Sequence, residues 1–299
     1  MINTILLIAL LIAANLALFF FLYLQSRLRK KQQTKGLFFQ SSVGPIYYQV
    51  HGKGKDTLLL LHGLGASSYC WRKLIPLLEK DFRVITCDLW GFGKSTKDHP
   101  QNINLDSQAS VLIELLDELV ADSVSIIGNS MGAHIGFWIA KCYSHRVKRI
   151  VAISPATYPK LVPLYIDRFH WVSKWTPFVV NHKLVRMLLL NTIGNPHNID
   201  TEMVEAYLDP YRDPEAHHSF AASLKIIQDE RVYNSLTSIE TPTLILWGER
   251  DRPIQRHVID DIVSKLPFVE LQTHPKSGHS AMEEYPEWCA KLITPFLKS

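Results

Sequence analysis

Seven short apolar runs, separated by longer stretches of helical spacing, constrain this chain more than any other feature of its sequence. They fall at 46–50, 57–61, 83–87, 124–127, 150–153, 243–247 and 269–272, and most are near-continuous rather than alternating. Near-continuous apolar strands are those of a parallel sheet covered on both faces, whereas a half-solvated sheet alternates polar with apolar residues. Helical patterns at 69–79, 105–120, 131–142, 255–266 and 283–297 accompany them, the last with Trp288, Leu292 and Phe296 on one stripe. This alternation predicts an α/β fold with a mostly parallel central sheet and helices on both faces. Between 155 and 239 the rhythm stops. No clear strand occurs there, and Tyr158, Pro163, Tyr165, Phe169, Trp171, Trp175, Pro177 and Phe178 crowd its first part. Helices are expected at 179–191, 201–208 and 214–228. A stretch of roughly 85 residues is too long for a simple connection, so 155–239 reads as a helical cap on a core made of 37–154 and 240–299.

The amino terminus has a different character. Residues 5–24 read ILLIALLIAANLALFFFLYL, with Asn15 the one strongly polar side chain. Twenty helical residues reach ~30 Å, about the thickness of a hydrocarbon core, so residues 1–25 are expected to form a transmembrane helix. A cleaved signal peptide fits poorly, because no basic leader precedes the run and no small-x-small site follows it. Arg27, Arg29, Lys30, Lys31 and Lys35 follow without an acid, making 26–36 a basic tether suited to anionic head groups. Charge on that side alone places the body in the cytoplasm, a single-pass membrane protein by the positive-inside rule. The formal charge is +4, and setting those five residues aside leaves 27 basic against 28 acidic residues. The body therefore offers no basic surface for nucleic acid. Cys70, Cys87, Cys142 and Cys289 are far apart, with no CxxC, and read as buried free thiols rather than a disulfide framework or zinc site.

The chemistry concentrates at Gly128-Asn129-Ser130-Met131-Gly132, which follows the strand pattern VSII and precedes the helix pattern MGAHIGFWIAKC. Gly-x-Ser-x-Gly alone is weak evidence. Between a strand and a helix it becomes specific, because a sharp turn there needs small flanking residues and lifts the serine Oγ clear of the backbone. The bland alternative is a serine that merely caps the helix. The helix behind Ser130 also aims free N–H groups at the site, which favours developing negative charge.

With these motifs in place the chain resembles the α/β-hydrolase superfamily over about 46–298. Leu61-His62-Gly63-Leu64-Gly65 resembles that family's oxyanion loop, and Asp88-Leu89-Trp90-Gly91-Phe92-Gly93-Lys94-Ser95 the loop after the next strand. Trp247-Gly248-Glu249-Arg250-Asp251 resembles the segment bearing the acid, and Ser277-Gly278-His279-Ser280 the histidine loop. A serine needs an adjacent base, and His279 is the candidate, with His274 its rival; His62 reads as scaffolding and His134 as packed behind the turn. Asp251 is the candidate partner of the imidazole, with Glu249 the competitor. The order Ser130, Asp251, His279 is that of this fold. By resemblance the oxyanion donors are the backbone N–H groups of Leu64 and Met131. Ala133 departs from the family's frequent second glycine and is expected to tighten packing.

The resemblance implies a serine hydrolase of carboxylic esters that needs no cofactor or metal, and the serine argues against the aspartate-nucleophile branches. An aromatic cap and a membrane anchor favour a lipid-derived or other hydrophobic ester, as in membrane-anchored monoacylglycerol lipases and bacterial esterases. Two alternatives stay open: a C–C bond hydrolase of ring-cleavage products, whose members share Gly-Asn-Ser-Met-Gly, and a receptor that binds its ligand with slow turnover. The oligomeric state is not readable from the sequence.

Overall fold

The computed structural model describes residues 36–159, 161 and 180–299. The span expected at 1–25, most of the tether at 26–36 and the aromatic run from Pro163 to Phe178 lie outside these residues. Among the described residues no helix is long and apolar enough to cross a membrane.

Eight strands form one sheet: β1 (Leu37–Ser41), β2 (Gly44–His51), β3 (Thr57–Leu61), β4 (Arg83–Cys87), β5 (Val124–Asn129), β6 (Val147–Ile153), β7 (Thr243–Gly248) and β8 (Val269–His274). Their order is β1-β2-β4-β3-β5-β6-β7-β8, antiparallel at β1–β2 and β2–β4 and parallel across the other five pairings. The apolar runs are the reason. Every residue of β3, β5 and β7 is buried, as strands covered on both faces must be. β1 carries no such signal, since Leu37 and Phe38 are more than half exposed on the edge of the sheet. Its turn into β2 is held by Ser42, whose N–H and hydroxyl both donate to the Glu114 carboxylate at 2.8 and 2.6 Å.

The helices α1 (Ile75–Leu78), α2 (Leu105–Glu118), α3 (Met131–Cys142), α8 (Arg256–Lys265), α9 (Ala281–Glu284) and α10 (Pro286–Lys298) belong to the part expected as core. In the stretch expected as a cap stand α4 (His182–Thr192), α5 (Thr201–Leu208), α6 (Glu215–Ile227) and α7 (Glu230–Ser235), with no strand among its described residues. Two long helical expectations are broken, the second at a proline. The pattern at 69–79 becomes a 3-10 turn, Ser68–Trp71, and a single α turn with Pro76 in its first positions. The pattern at 283–297 divides at Tyr285, whose φ of −136° interrupts the helix immediately before Pro286. Proline has no N–H to continue a helix and pushes the residue before it out of the helical region. By contrast α2 starts where expected, on a reciprocal cap between Asn104 and Ser107. Cys70, Cys87 and Cys289 are buried free thiols, but Cys142 is exposed, because it ends α3 on the solvent side.

Packing divides in three. One cluster, containing Leu59, Ile126, Phe137 and Ile259, covers one face of the sheet; a second, containing Leu58, Trp71, Val151 and Ile293, covers the other. A third joins α4 and α5 through Val185, Leu189, Met203, Val204 and Leu208, with Tyr207 packed against both it and the second cluster.

Candidate functional site

The strand order reverses between β3 and β5, so the chain leaves their adjacent carboxyl ends in opposite directions and opens a crevice there. Leu61 of β3 pairs with Gly128 of β5, which sets His62-Gly63-Leu64 beside Ser130. Ser130 has φ 54° and ψ −115°, a left-handed backbone that costs a non-glycine residue about 1–3 kcal/mol. It makes no side-chain cap to α3, which removes the bland reading of this serine. The two glycines of the motif are required by close approach. A Cβ at Gly132 would stand 2.1 Å from the Leu61 carbonyl oxygen, and one at Gly128 2.4 Å from the Ala133 nitrogen. Ala133 itself is fully buried against that turn.

Across the crevice His279 Nδ1 lies 3.1 and 3.0 Å from the two carboxylate oxygens of Asp251. The Asp251 side chain is wholly shielded, and its Oδ1 also accepts the Ile254 N–H at 2.8 Å. A ring nitrogen facing a carboxylate carries the proton, which leaves Nε2 with its lone pair. The competitors stand elsewhere. Glu249 is exposed and accepts from the Thr273 hydroxyl, while His274 stacks on Tyr285 with centroids 3.9 Å apart. His62 is fully buried, with Nδ1 on the Gly63 carbonyl (2.8 Å) and Nε2 accepting the Leu89 N–H (3.0 Å), a neutral clip between two loops. Burial lowers its basicity, and lowers that of His134 to about 4. His134 meets Thr157 Oγ1 at 3.1 Å, packed behind the serine turn.

Neither the Leu64 nor the Met131 N–H donates to any acceptor among the described residues. Both flank Ser130: Met131 follows it, and a Cβ at the neighbouring Gly63 would stand 3.2 Å from the Ser130 Cβ. Two uncommitted backbone donors beside a strained serine can receive an oxyanion.

Several groups have partners that no motif predicts. Asn129 Nδ2 donates to the carbonyls of Ile153 and His279, each at 3.1 Å, tying the serine turn to the histidine loop. The chain just after α4 is stitched to the same loop: His279 N–H donates to Thr192 O (2.7 Å) and Asn195 N–H to Glu284 (3.0 Å). Glu284 also accepts the Gly278 N–H at 2.7 Å, and Arg252 of the acid loop donates to Leu190 O at 2.8 Å. Glu283, fully shielded, bonds Arg72 and Tyr207; burial pushes its carboxyl up while the guanidinium pulls it back. The one available signal was the acidic pair shortly after His279, which composition cannot distinguish from a solvated helix start.

The family model for the alpha/beta hydrolase fold matches residues 56–286. An uncharacterized hydrolase, YugF of Bacillus subtilis (strain 168), is 26% identical over 261 residues, covering 85% of this chain and 94% of that protein. The 2-hydroxy-6-oxononadienedioate/2-hydroxy-6-oxononatrienedioate hydrolase 1 of Pseudomonas putida is 28% identical over 265 residues, covering 84% and 91%. Among solved structures, a membrane phospholipase A described as a bacterial virulence factor superposes with a TM-score of 0.74 at 25% identity, covering 100% of this chain and 98% of that one.

Proposed function

The chain belongs to the alpha/beta hydrolase family, and on that premise we propose that it is a serine hydrolase of carboxylic esters, acting through Ser130, His279 and Asp251. Ser130 Oγ attacks the ester carbonyl while His279 Nε2 takes its proton. Asp251 fixes the tautomer through Nδ1 and stabilises the imidazolium that forms. The tetrahedral oxyanion is received by the N–H groups of Leu64 and Met131, each worth ~3 kcal/mol in the transition state. Collapse expels the alcohol with the proton from His279, and a water activated by the same imidazole then frees the acid from Ser130. The reaction so written needs no cofactor. The observation that carries the reading is the left-handed backbone of Ser130, a strain with no capping role to account for it.

A hydrophobic, lipid-derived ester is the substrate class we favour. Its support is the apolar stretch at 5–24, which we read as a single membrane span with the catalytic body on the cytoplasmic side, and the whole-length likeness to a membrane phospholipase A. The stretch 155–239 would be the cap that shapes the acyl site. The Pseudomonas putida relative favours a second reading, hydrolysis of a C–C bond in a ring-cleavage product by the same serine.

Hydrolysis of p-nitrophenyl esters of increasing acyl length, with Ser130→Ala as the baseline, tests the proposal. Turnover that peaks at one chain length and drops by at least about 10⁴-fold in the variant supports it. Equal rates in both proteins, or none in either, would sink the esterase reading and turn attention to ring-cleavage products.

A further inference from the structure

Glu283 lies four residues beyond His279, in α9, and its side chain has no solvent exposure. Each of its oxygens is committed to a different element. Oε2 receives Arg72 Nη1 at 2.5 Å, from the turn that follows the loop of Leu64; Oε1 receives the Tyr207 hydroxyl at 2.5 Å, from α5. Its main-chain oxygen takes Lys73 Nζ at 3.0 Å. The partners also touch one another: the Arg72 guanidinium stacks 3.9 Å over the Tyr69 ring, and Tyr69 meets Tyr207 edge-on at 6.3 Å. Four side chains from three segments thus close a ring. Apolar packing alone would hold those segments together, but it would not fix their mutual direction. Short charge-assisted bonds do fix direction, and a shielded carboxylate is intolerant of losing a partner.

We propose that Glu283 is a positioning residue, which ties the docking of α5 to the loop that carries His279 and to the turn behind Leu64. It rests on the reading of Ser130 and His279 as nucleophile and base. When α5 is seated, Tyr207 and Arg72 together hold α9 through the two oxygens of Glu283, and the chain two residues upstream presents the imidazole. When α5 is displaced, one carboxylate oxygen is left without its donor and Arg72 alone holds that side chain.

The test compares Tyr207→Phe, Glu283→Gln and the double variant with the wild-type chain. Its readout is the labelling of Ser130 by an alkyl fluorophosphonate, in which Oγ displaces fluoride from phosphorus and the proton passes to His279. Tyr207→Phe keeps the ring against Tyr69, and Glu283→Gln keeps an acceptor for the hydroxyl, so a folding failure in one leaves the other informative. Measured where near-ultraviolet dichroism shows full folding, the maximal labelling rate is expected to fall about tenfold in each, with half-saturation within about twofold, since misplacement affects the reacting geometry rather than binding. The double variant is expected to be no slower than the slower single one. A lowered melting temperature with an undiminished rate would show a purely structural ring and overturn the proposal. Failure of the wild-type chain to label would instead overturn the serine hydrolase reading, and this proposal with it.

Discussion

The helices between β6 and β7 fall into two halves that meet the rest of the protein by different means. The first half, α4 and α5, touches the candidate site through hydrogen bonds and backbone contact. Leu190, Thr192 and Asn195 are bonded to Arg252, His279 and Glu284, and Tyr207 to Glu283. The second half, α6 and α7, hydrogen-bonds to α2 and α8 rather than to the histidine or acid loop, Arg231 to Asp106 at 2.9 Å and Tyr233 to Asp261 at 2.7 Å, and joins the main apolar cluster through Ile226, Ile227, Val232 and Phe220; among the described residues the hydroxyls of Ser219 and Ser223 are buried without partners. A reaction needs base and acid fixed to within a fraction of an ångström. On the serine hydrolase reading, we assign the α4–α5 half to holding that geometry and the α6–α7 half to packing against α3, behind the serine turn.

The strongest way to break that assignment is at Gly194, where a Cβ would come within 2.6 Å of the Gly278 nitrogen. Gly194→Ala must push the histidine loop away, and kcat is expected to fall about a hundredfold. Steady-state kinetics check this, and an unaffected kcat would mean the stitch is irrelevant. On the other side, His134 belongs to α3, which packs against α6 and α7. Burial holds its folded value at about 4 against 6.5, so the unfolded chain takes up the proton first. Stability is then full above about pH 6.5 and is lost as pH falls toward 4, by up to ~3 kcal/mol, with activity at neutral pH untouched. Urea unfolding at pH 7 and pH 5, repeated on His134→Gln, should show the slope and its disappearance.

Smaller effects sharpen the contrast. Ser219→Ala and Ser223→Ala remove hydroxyls that have no partner among the described residues and improve helix propensity, so each should be neutral or stabilising by about 0.5–1 kcal/mol. A loss above that size in thermal unfolding would mean the hydroxyls are bonded. Arg252→Ala deletes one exposed donor from the acid loop to Leu190 and should lower kcat only about twofold to threefold while barely moving the melting temperature.

What the sequence revealed follows the same division. Strands such as 57–61 and 243–247 were legible because burial on both faces leaves only apolar residues, and the helix at 131–142 because it begins behind a glycine-bracketed serine. The pairing of Asp251 with His279 was legible by order and motif, and Glu249 and His274 make other contacts. β1 was not, since an exposed edge strand has no core face to impose a pattern. Pro286 was visible as a residue, but helical periodicity runs straight through it and through the turn at 72–74. Asn129, Glu283 and Glu284 escaped for a deeper reason. Apart from Gly278, six positions from Glu284, their side-chain partners lie between 24 and 211 positions away, and no local period encodes such a pairing.

The solvent-facing end of α3 gives the molecule a reporter site. Cys142 is the exposed thiol of four, and burial pushes those of Cys70, Cys87 and Cys289 far up, so a maleimide dye would attach at Cys142 alone. Ser130 precedes the first residue of that twelve-residue helix, some ~18 Å away along a rigid rod. A dye at Cys142 and a fluorescent phosphonate on Ser130 would form an energy-transfer pair of fixed separation, an internal ruler against which movement of any third, labelled segment can be read.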